Sequence, residues 1–296
     1  SMEDVLNYMP PNIKEVMKTF LGNTGINEIR LRTGMHLILR FYGKEIVTEY
    51  IVKKEDILNI LLSISKNSIY SIQNDINNGF LTIKGGHRVG VTGEVVLEAG
   101  NIKNIKEISS MNIRIAREIK GAANKIIPYI ISGNNIRNTL IVSPPGCGKT
   151  TMLRDLIRQI SNYGKNVAVI DERGEIASVY NGKNMLDVGT RTDVMSFCPK
   201  HIGINLVTRS MAPDVIATDE IGSMQDVEAI KAATLSGVNL IFTMHGKSIN
   251  DLRKNREIMQ IIDDGYFDII VFLSNKNGVG TVERVLKGKG ELSACC

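Results

Sequence analysis

One nine-residue stretch constrains this chain more than any other: Ser143-Pro-Pro-Gly146-Cys147-Gly148-Lys149-Thr150-Thr151. It follows the apolar run Asn138–Val142, which reads as a buried strand, and it opens a helix from about Lys149. Strand, glycine-rich turn and helix in that register form a Walker A loop. Gly146 and Gly148 let the backbone curl so that its N–H groups point inward at phosphate oxygens. The helix N-terminus adds partial positive charge there. Pro145, Gly146, Cys147, Gly148, Lys149, Thr150 and Thr151 are the expected nucleotide-binding residues. In such a loop the lysine reaches the β- and γ-phosphates and the Thr150 hydroxyl ligates Mg²⁺. The consensus opens on Gly where this chain has Ser143, a mild departure because the curl depends on the later glycines.

The residues around this loop alternate strand and helix. Asn166–Ile170, Asp214–Thr218, Asn239–Thr243, Asp268–Leu273 and Val279–Val285 read as strands, and Ser223–Leu235 and Ile249–Ile262 as helices. That order predicts an α/β fold, a RecA-like P-loop core with a mostly parallel sheet covered on both faces. The first half reads as a smaller α+β domain. Its strands are Ile26–Arg32, Leu37–Tyr42, Glu45–Val52, Phe80–Lys84, Arg88–Leu97 and Ile105–Ala116, with helices at Glu55–Ser65 and, capped by Ser68, at Ile69–Asn77. The expected organisation is an N-terminal domain over 1–120, a linker and connecting helix over 121–138 with Gly133–Asn135 as its hinge, and a P-loop ATPase domain over 139–296.

In a parallel sheet the strand C-termini face the ligand crevice. Three of them carry chemistry here. Asp219 and Glu220 end the strand 214–218, about 70 residues beyond the loop, as a Walker B strand should. One carboxylate can hold Mg²⁺ through water, with Asp219 and Thr150 the expected metal pair, and the other can polarise the attacking water; the sequence does not divide these roles. Asp171, Glu172 and Glu175, in Asp171-Glu-Arg-Gly-Glu175, end the strand 166–170 and are expected to point toward bound nucleotide, with Glu175 near the γ-phosphate; surface ion pairing of Glu172, Arg173 and Glu175 is the other reading. His245 ends the strand 239–243, where it can sense that phosphate. His36, His87 and His201 have no such placement and read as structural or surface residues.

Composition narrows the alternatives. A net charge of +5 and a pI near 8.9 permit contact with nucleic acid. With 5% aromatic residues and no Trp, base stacking has little support, so nucleic acid is not expected. A nucleic-acid-dependent RecA-like ATPase and a nucleotide-gated scaffold with little turnover are the competing readings. No apolar run nears the ~20 residues of a membrane span. Ser1 ahead of Met2 reads as a remnant of expression, and the residues after it lack a signal-peptide pattern, so the chain is expected to be cytoplasmic. Cysteines 147, 198, 295 and 296 form neither a paired metal pattern nor a disulfide framework.

The order of these segments resembles the secretion-motor ATPases of type II secretion and type IV pili. Those carry a Walker A, an acidic Asp box, a Walker B and a His box, matched here by Ser143–Thr151, Ile170–Glu175, Val215–Ile221 and Thr243–His245. The resemblance implies that Glu175 is the Asp-box glutamate and Glu220 the Walker B glutamate. Asp187–Arg191 and Thr208–Val215 look like that family's arginine-bearing segments, which makes Arg191 and Arg209 candidates for charge neutralisation. Two positions depart: Asp219-Glu220 stands where the family usually has Gly-Glu, and Gly222-Ser223 replaces an arginine.

Over nearly its whole length the chain resembles the stage III sporulation protein AA family of endospore-forming bacteria. Glu28–Arg32, Gly79–Gly90 and Ile108–Arg117 carry that likeness, with Arg88, Arg114 and Arg117 as further arginine candidates. It implies a homo-hexameric ATPase using ATP and Mg²⁺. Such a protein would sit on the mother-cell face of the forespore membrane through a membrane-protein partner of a channel complex, with no transmembrane segment of its own.

Overall fold

The computed structural model describes residues 1–22, 25–41, 43–66, 72–288 and 293–295. They form two compact units, Ser1–Arg117 with Ser178–Met185, and Glu118–Ala177 with Leu186–Cys296. Residues 121–138, expected as a linker, belong to the second unit.

The first unit begins with two short helices that the sequence reading did not foresee, α1 (Met2–Leu6) and α2 (Pro11–Lys18). Three strands follow, β1 (Ile26–Arg32), β2 (His36–Phe41) and β3 (Lys44–Ile51), then α3 (Lys54–Ile64) and α4 (Gln73–Asn77). The start expected for α4 at Ile69, with its Ser68 cap, lies outside the described residues. β4 (Phe80–Thr82), β5 (Arg88–Glu98) and β6 (Asn101–Arg114) complete a six-stranded antiparallel sheet in the order β3-β2-β1-β6-β5-β4. β6 starts four residues earlier than expected, because Asn101 pairs with Glu98 across a tight turn. Alternation decides the faces. Ile29, Leu31, Leu39, Val89 and Ile113 pack on Ile13, Met17, Ile57 and Ile60 of the helices. Glu28, Arg30 and Arg32 fall on the other face, where Glu28 meets Arg30 at 2.7 Å and Arg40 at 3.1 Å and accepts 2.6 Å from Asn112 Nδ2. Burial pushes the Glu28 carboxyl up, but Asn112 and these arginines together hold it below its ordinary value.

The second unit opens with α5 (Ile127–Ile130) and a small hairpin, β7 (Ile131–Ser132) and β8 (Asn135–Ile136). Next come β9 (Thr139–Ser143), α6 (Lys149–Asn162) and β10 (Val167–Asp171). The hairpin β11 (Val179–Tyr180) and β12 (Lys183–Asn184) lies in the segment that clusters with the first unit. The chain continues through β13 (Thr192–Ser196), α7 (Lys200–Ser210), β14 (Val215–Thr218), α8 (Met224–Leu235), β15 (Asn239–His245), α9 (Ile249–Leu252), α10 (Arg256–Asp263), β16 (Ile269–Ser274), β17 (Thr281–Lys287) and β18 (Ser293–Cys295).

One eight-stranded sheet runs β13-β10-β14-β15-β9-β16-β17-β18. It is parallel from β13 through β16 and antiparallel beyond. Its central strands are buried on both faces, as a parallel sheet covered by helices requires. Ile204 and Val207 of α7, Ile230 of α8 and Ile258 of α10 pack on Leu140, Ile170, Ile216 and Phe242. α6 packs against β9, β10, β13 and β15.

β13 and α7 were not anticipated; β-branched residues and Gly203 weaken the helical signal over 200–210. The single helix expected over Ile249–Ile262 is two. Asn255 accepts the Ile258 N–H at 3.1 Å, capping α10 and separating it from α9.

Candidate nucleotide site

β9 delivers the phosphate loop to the C-terminal edge of the sheet. Gly146 (φ 71°) and Gly148 (φ 83°) both take the left-handed conformation, and Gly148 caps α6. The first N–H groups of α6 are thereby turned toward the loop's concavity, a ready anion site. Lys149 follows at once and is only 8% exposed. Cys147 is buried, its thiol 3.7 Å from the Pro145 carbonyl.

The Walker B carboxylates close on this loop from β14. Lys149 Nζ donates to Glu220 Oε1 at 2.9 Å and lies 4.0 Å from Asp219 Oδ1. Thr150 Oγ1 donates to Asp219 Oδ2 at 3.0 Å. Thr243, on the neighbouring β15, donates its hydroxyl to Asp219 Oδ1 and accepts the Glu220 N–H at 2.9 Å. That last bond holds Glu220 at φ 52°, a conformation an L-residue takes only when its surroundings impose it. The Lys149 hydrogen bond outweighs burial and keeps the Glu220 carboxyl below its ordinary value, with Arg173 and Lys200 adding to the effect.

Glu175 joins the same group. Arg173 lies 3.1 Å from Glu220 Oε2 and 3.7 Å from Glu175 Oε1, so one guanidinium bridges the two glutamates. His245 sits opposite Ser143 in the β15–β9 register, beside the root of the loop, and is exposed. Arg191 and Arg209 are placed elsewhere. Arg191 immediately precedes β13 and Arg209 lies in the last turn of α7, both at the N-terminal edge of the parallel strands, away from the site of their own chain. In the first unit, Arg88 stacks on Phe80 at 3.6 Å, Arg114 pairs with Glu28 in register, and Arg117 donates to the Ile26 carbonyl.

Of two supporting residues, Asp171 was expected with Glu172 and Glu175 to point toward bound nucleotide and does not, and Arg154 was not singled out in the sequence. Asp171 is 1% exposed and turns into its own loop, accepting the N–H groups of Glu175 (2.9 Å), Ile176 (3.0 Å) and Ala177 (3.0 Å). Arg154, one turn past Thr150 on α6, donates to the Ile176 and Glu175 carbonyls at 2.6 and 2.8 Å. Burial lowers the Arg154 guanidinium pKa. The segment carrying Glu175 is thus tied at one end to β10 and at the other to the phosphate-loop helix. The available signal for Arg154 was an arginine among the apolar positions of an amphipathic helix, which calls for a buried acceptor.

The donor set suits Mg·ATP. A glycine cradle and helix N-terminus take phosphate, Lys149 supplies charge, and Thr150 with Asp219 offers hard oxygen ligands of the kind Mg²⁺ takes.

Fold and site together define a RecA-like P-loop protein. The model of the "Sporulation stage III, protein AA" family matches residues 2–293, and the chain belongs to that family. It is 37% identical over 298 residues to stage III sporulation protein AA of Bacillus subtilis (strain 168), covering 98% of this chain and 97% of that protein. Among solved structures it is similar to the Legionella pneumophila ATPase DotB, with TM-score 0.59 and 17% identity over 88% of this chain and 75% of that one. It is likewise similar to the pilus retraction motor PilT bound to ADP, with TM-score 0.60 and 16% identity over 92% of this chain and 80% of that one. Among the described residues no helix is long and apolar enough to cross a membrane.

Proposed function

We propose that this protein is a Mg²⁺-dependent ATPase of the secretion-motor type that energises or gates a membrane channel complex during sporulation. The observation that carries this reading is the pair of contacts joining the two nucleotide motifs, Lys149 to Glu220 and Thr150 to Asp219. Lys149 and Thr150, the P-loop side chains that would meet the triphosphate, each contact one of the two adjacent carboxylates.

The contacts support a division of roles. Asp219 faces the Thr150 hydroxyl and is the carboxylate for the metal. Glu220, beside Lys149 and Arg173, is the carboxylate that would orient the attacking water. Arg173 keeps Glu220 and Glu175 on one side of the site. His245 reads the γ-phosphate from β15. Mg²⁺, when bound, neutralises developing phosphate charge. Arg191 and Arg209, at the far sheet edge, would act only on the site of a neighbouring copy, in keeping with the proposed homo-hexamer. Attachment to a membrane would come through a partner protein.

The test is ATP turnover by wild type, Lys149→Ala and Glu220→Gln, with single-stranded DNA added in a parallel set. Turnover lost in both variants and indifferent to DNA supports a protein-directed ATPase. Turnover raised many-fold by DNA, with steep salt dependence, would replace it with a nucleic-acid motor.

A further inference from the structure

Asp219, Glu220 and Thr243 all reach the phosphate loop from β14 and β15, on one side of β9. On the other side of β9 lies β16, whose C-terminal end leads into the loop Asn275–Gly280. That loop rests on the phosphate loop. Gly280 N–H donates to the Cys147 carbonyl at 3.0 Å. A Cβ on Gly148 would stand 2.9 Å from Val279 Cγ1 and 3.2 Å from Gly280 N, so only glycine admits this approach.

The loop is braced from within. Thr281 Oγ1 donates to the Gly278 carbonyl at 2.6 Å and accepts the Asn277 N–H at 3.1 Å, while Gly278 N–H donates to the Asn275 carbonyl at 3.1 Å. Val279 is nevertheless 50% exposed. A lone exposed valine is ordinary on a protein surface. This one lies against the phosphate loop, on the side of β9 away from Asp219 and Glu220.

We propose that the loop Asn275–Gly280 forms a wall of the nucleoside subsite, with the Val279 side chain packing on the face of the base. This rests on the nucleotide reading above. The metal-facing phosphate end belongs beside Thr150 and Asp219. A triphosphate laid across the α6 N-terminus from there carries its nucleoside toward β16, where Val279 offers a flat-packing apolar contact. Val279 is a specificity-determining residue for a nucleoside triphosphate over bare polyphosphate.

The experiment measures binding of ATP and of inorganic tripolyphosphate, each with Mg²⁺, by titration calorimetry on wild type, Val279→Ser and Val279→Leu. None of these changes alters charge beside the phosphates. We expect Val279→Ser to weaken ATP about five- to tenfold, the scale of one lost apolar side-chain contact. Tripolyphosphate affinity stays within about twofold, which also shows the variant folded, and Val279→Leu keeps ATP within about threefold of wild type. Equal ATP affinity in Val279→Ser and wild type, or equal weakening of both ligands, overturns the subsite alone. Wild type that binds neither ligand overturns the nucleotide reading, and the subsite with it.

Discussion

Thr150 and Asp219 stand 69 positions apart in the chain and 3.0 Å apart in space, hydroxyl to carboxylate. Asp219 accepts a second hydroxyl from Thr243, so both of its oxygens are oriented by hydroxyl donors. Asp219→Asn is therefore expected to lower ATP turnover by about a hundredfold or more and to raise the Mg²⁺ concentration for half-maximal rate. Thr150→Val is expected to do the same, and the double variant to be little worse than either single one, because both act on one ion. A Mg²⁺ titration of turnover in all four proteins checks this; additive losses would separate the two residues.

Glu220 carries a pH signature. Its carboxyl lies below the ordinary 4.5 in the folded chain because Lys149 donates to it. The folded state thus binds its proton less readily than the unfolded one. The stabilisation is whole above about pH 4.5 and is lost as pH falls through the lower folded value. Glu220 is 41% exposed, so solvent screens the pair and the effect is small. Urea denaturation from pH 6 to 3.5 should show a shallower loss for Glu220→Gln than for wild type; identical slopes would place the pair outside the acid response.

His87 supplies a second slope at higher pH. It is 1% exposed, with Nδ1 accepting the Ala116 N–H at 3.0 Å and Nε2 3.1 Å from the Ser1 carbonyl. Burial pushes its pKa below the ordinary 6.5. The stabilisation is complete above pH 6.5 and declines as the unfolded chain alone takes up the proton. His87→Gln should flatten stability between pH 7 and 5.5 in the same urea series, and an unchanged slope there would show another group responsible.

Local chemistry made the phosphate loop legible. Its glycines, lysine and threonine must be contiguous to wrap phosphate, so spacing alone reveals them. Glu220 and Glu175 were visible as carboxylates at strand ends, but the division between Asp219 and Glu220 was not. The proposed division rests on which carboxylate faces Thr150 and which faces Lys149, and those contacts follow from the twist of Glu220 to φ 52° and the Thr243 bond that holds it. Arg154 was invisible, and Asp171 was read as facing nucleotide, for a related reason. Their partners are backbone groups, which every residue has and no sequence marks. β13 and α7 escaped because Gly203 and its β-branched neighbours form a helix only where β10 is there to pack against.

Arg154 should behave as a brace for Glu175. Arg154→Met keeps much of the side-chain volume but leaves the Glu175 and Ile176 carbonyls without their donor. Two buried acceptors stranded in this way cost roughly 2–6 kcal/mol. Urea denaturation measures that cost. ATP turnover is expected to fall well beyond what the surviving folded fraction explains, since the segment carrying Glu175 loses its tie to α6. Full turnover per folded molecule would make Arg154 a stability residue only.

Gly203 tests why α7 sits where it does. It is a buried helical glycine, and a Cβ there would come within 2.6 Å of Ile170 Cγ2 and 3.0 Å of Ile170 Cδ1. Ala ordinarily favours a helix over Gly by about 1 kcal/mol. At this position the clash opposes that gain, because Ile170 is fixed in β10 between β13 and β14 and its carbonyl accepts the Thr218 hydroxyl at 2.7 Å. Gly203→Ala is therefore expected to destabilise by about 1–3 kcal/mol despite the better helix propensity. Ile170→Ala removes the obstructing atoms at the usual cavity cost of about 2–5 kcal/mol. The double variant should then be at least about 1 kcal/mol more stable than the sum of the two single losses, since the new methyl fills part of the vacated space. Urea denaturation of the four proteins closes this cycle, and strict additivity would show that α7 moves away from β10 rather than pressing on Ile170.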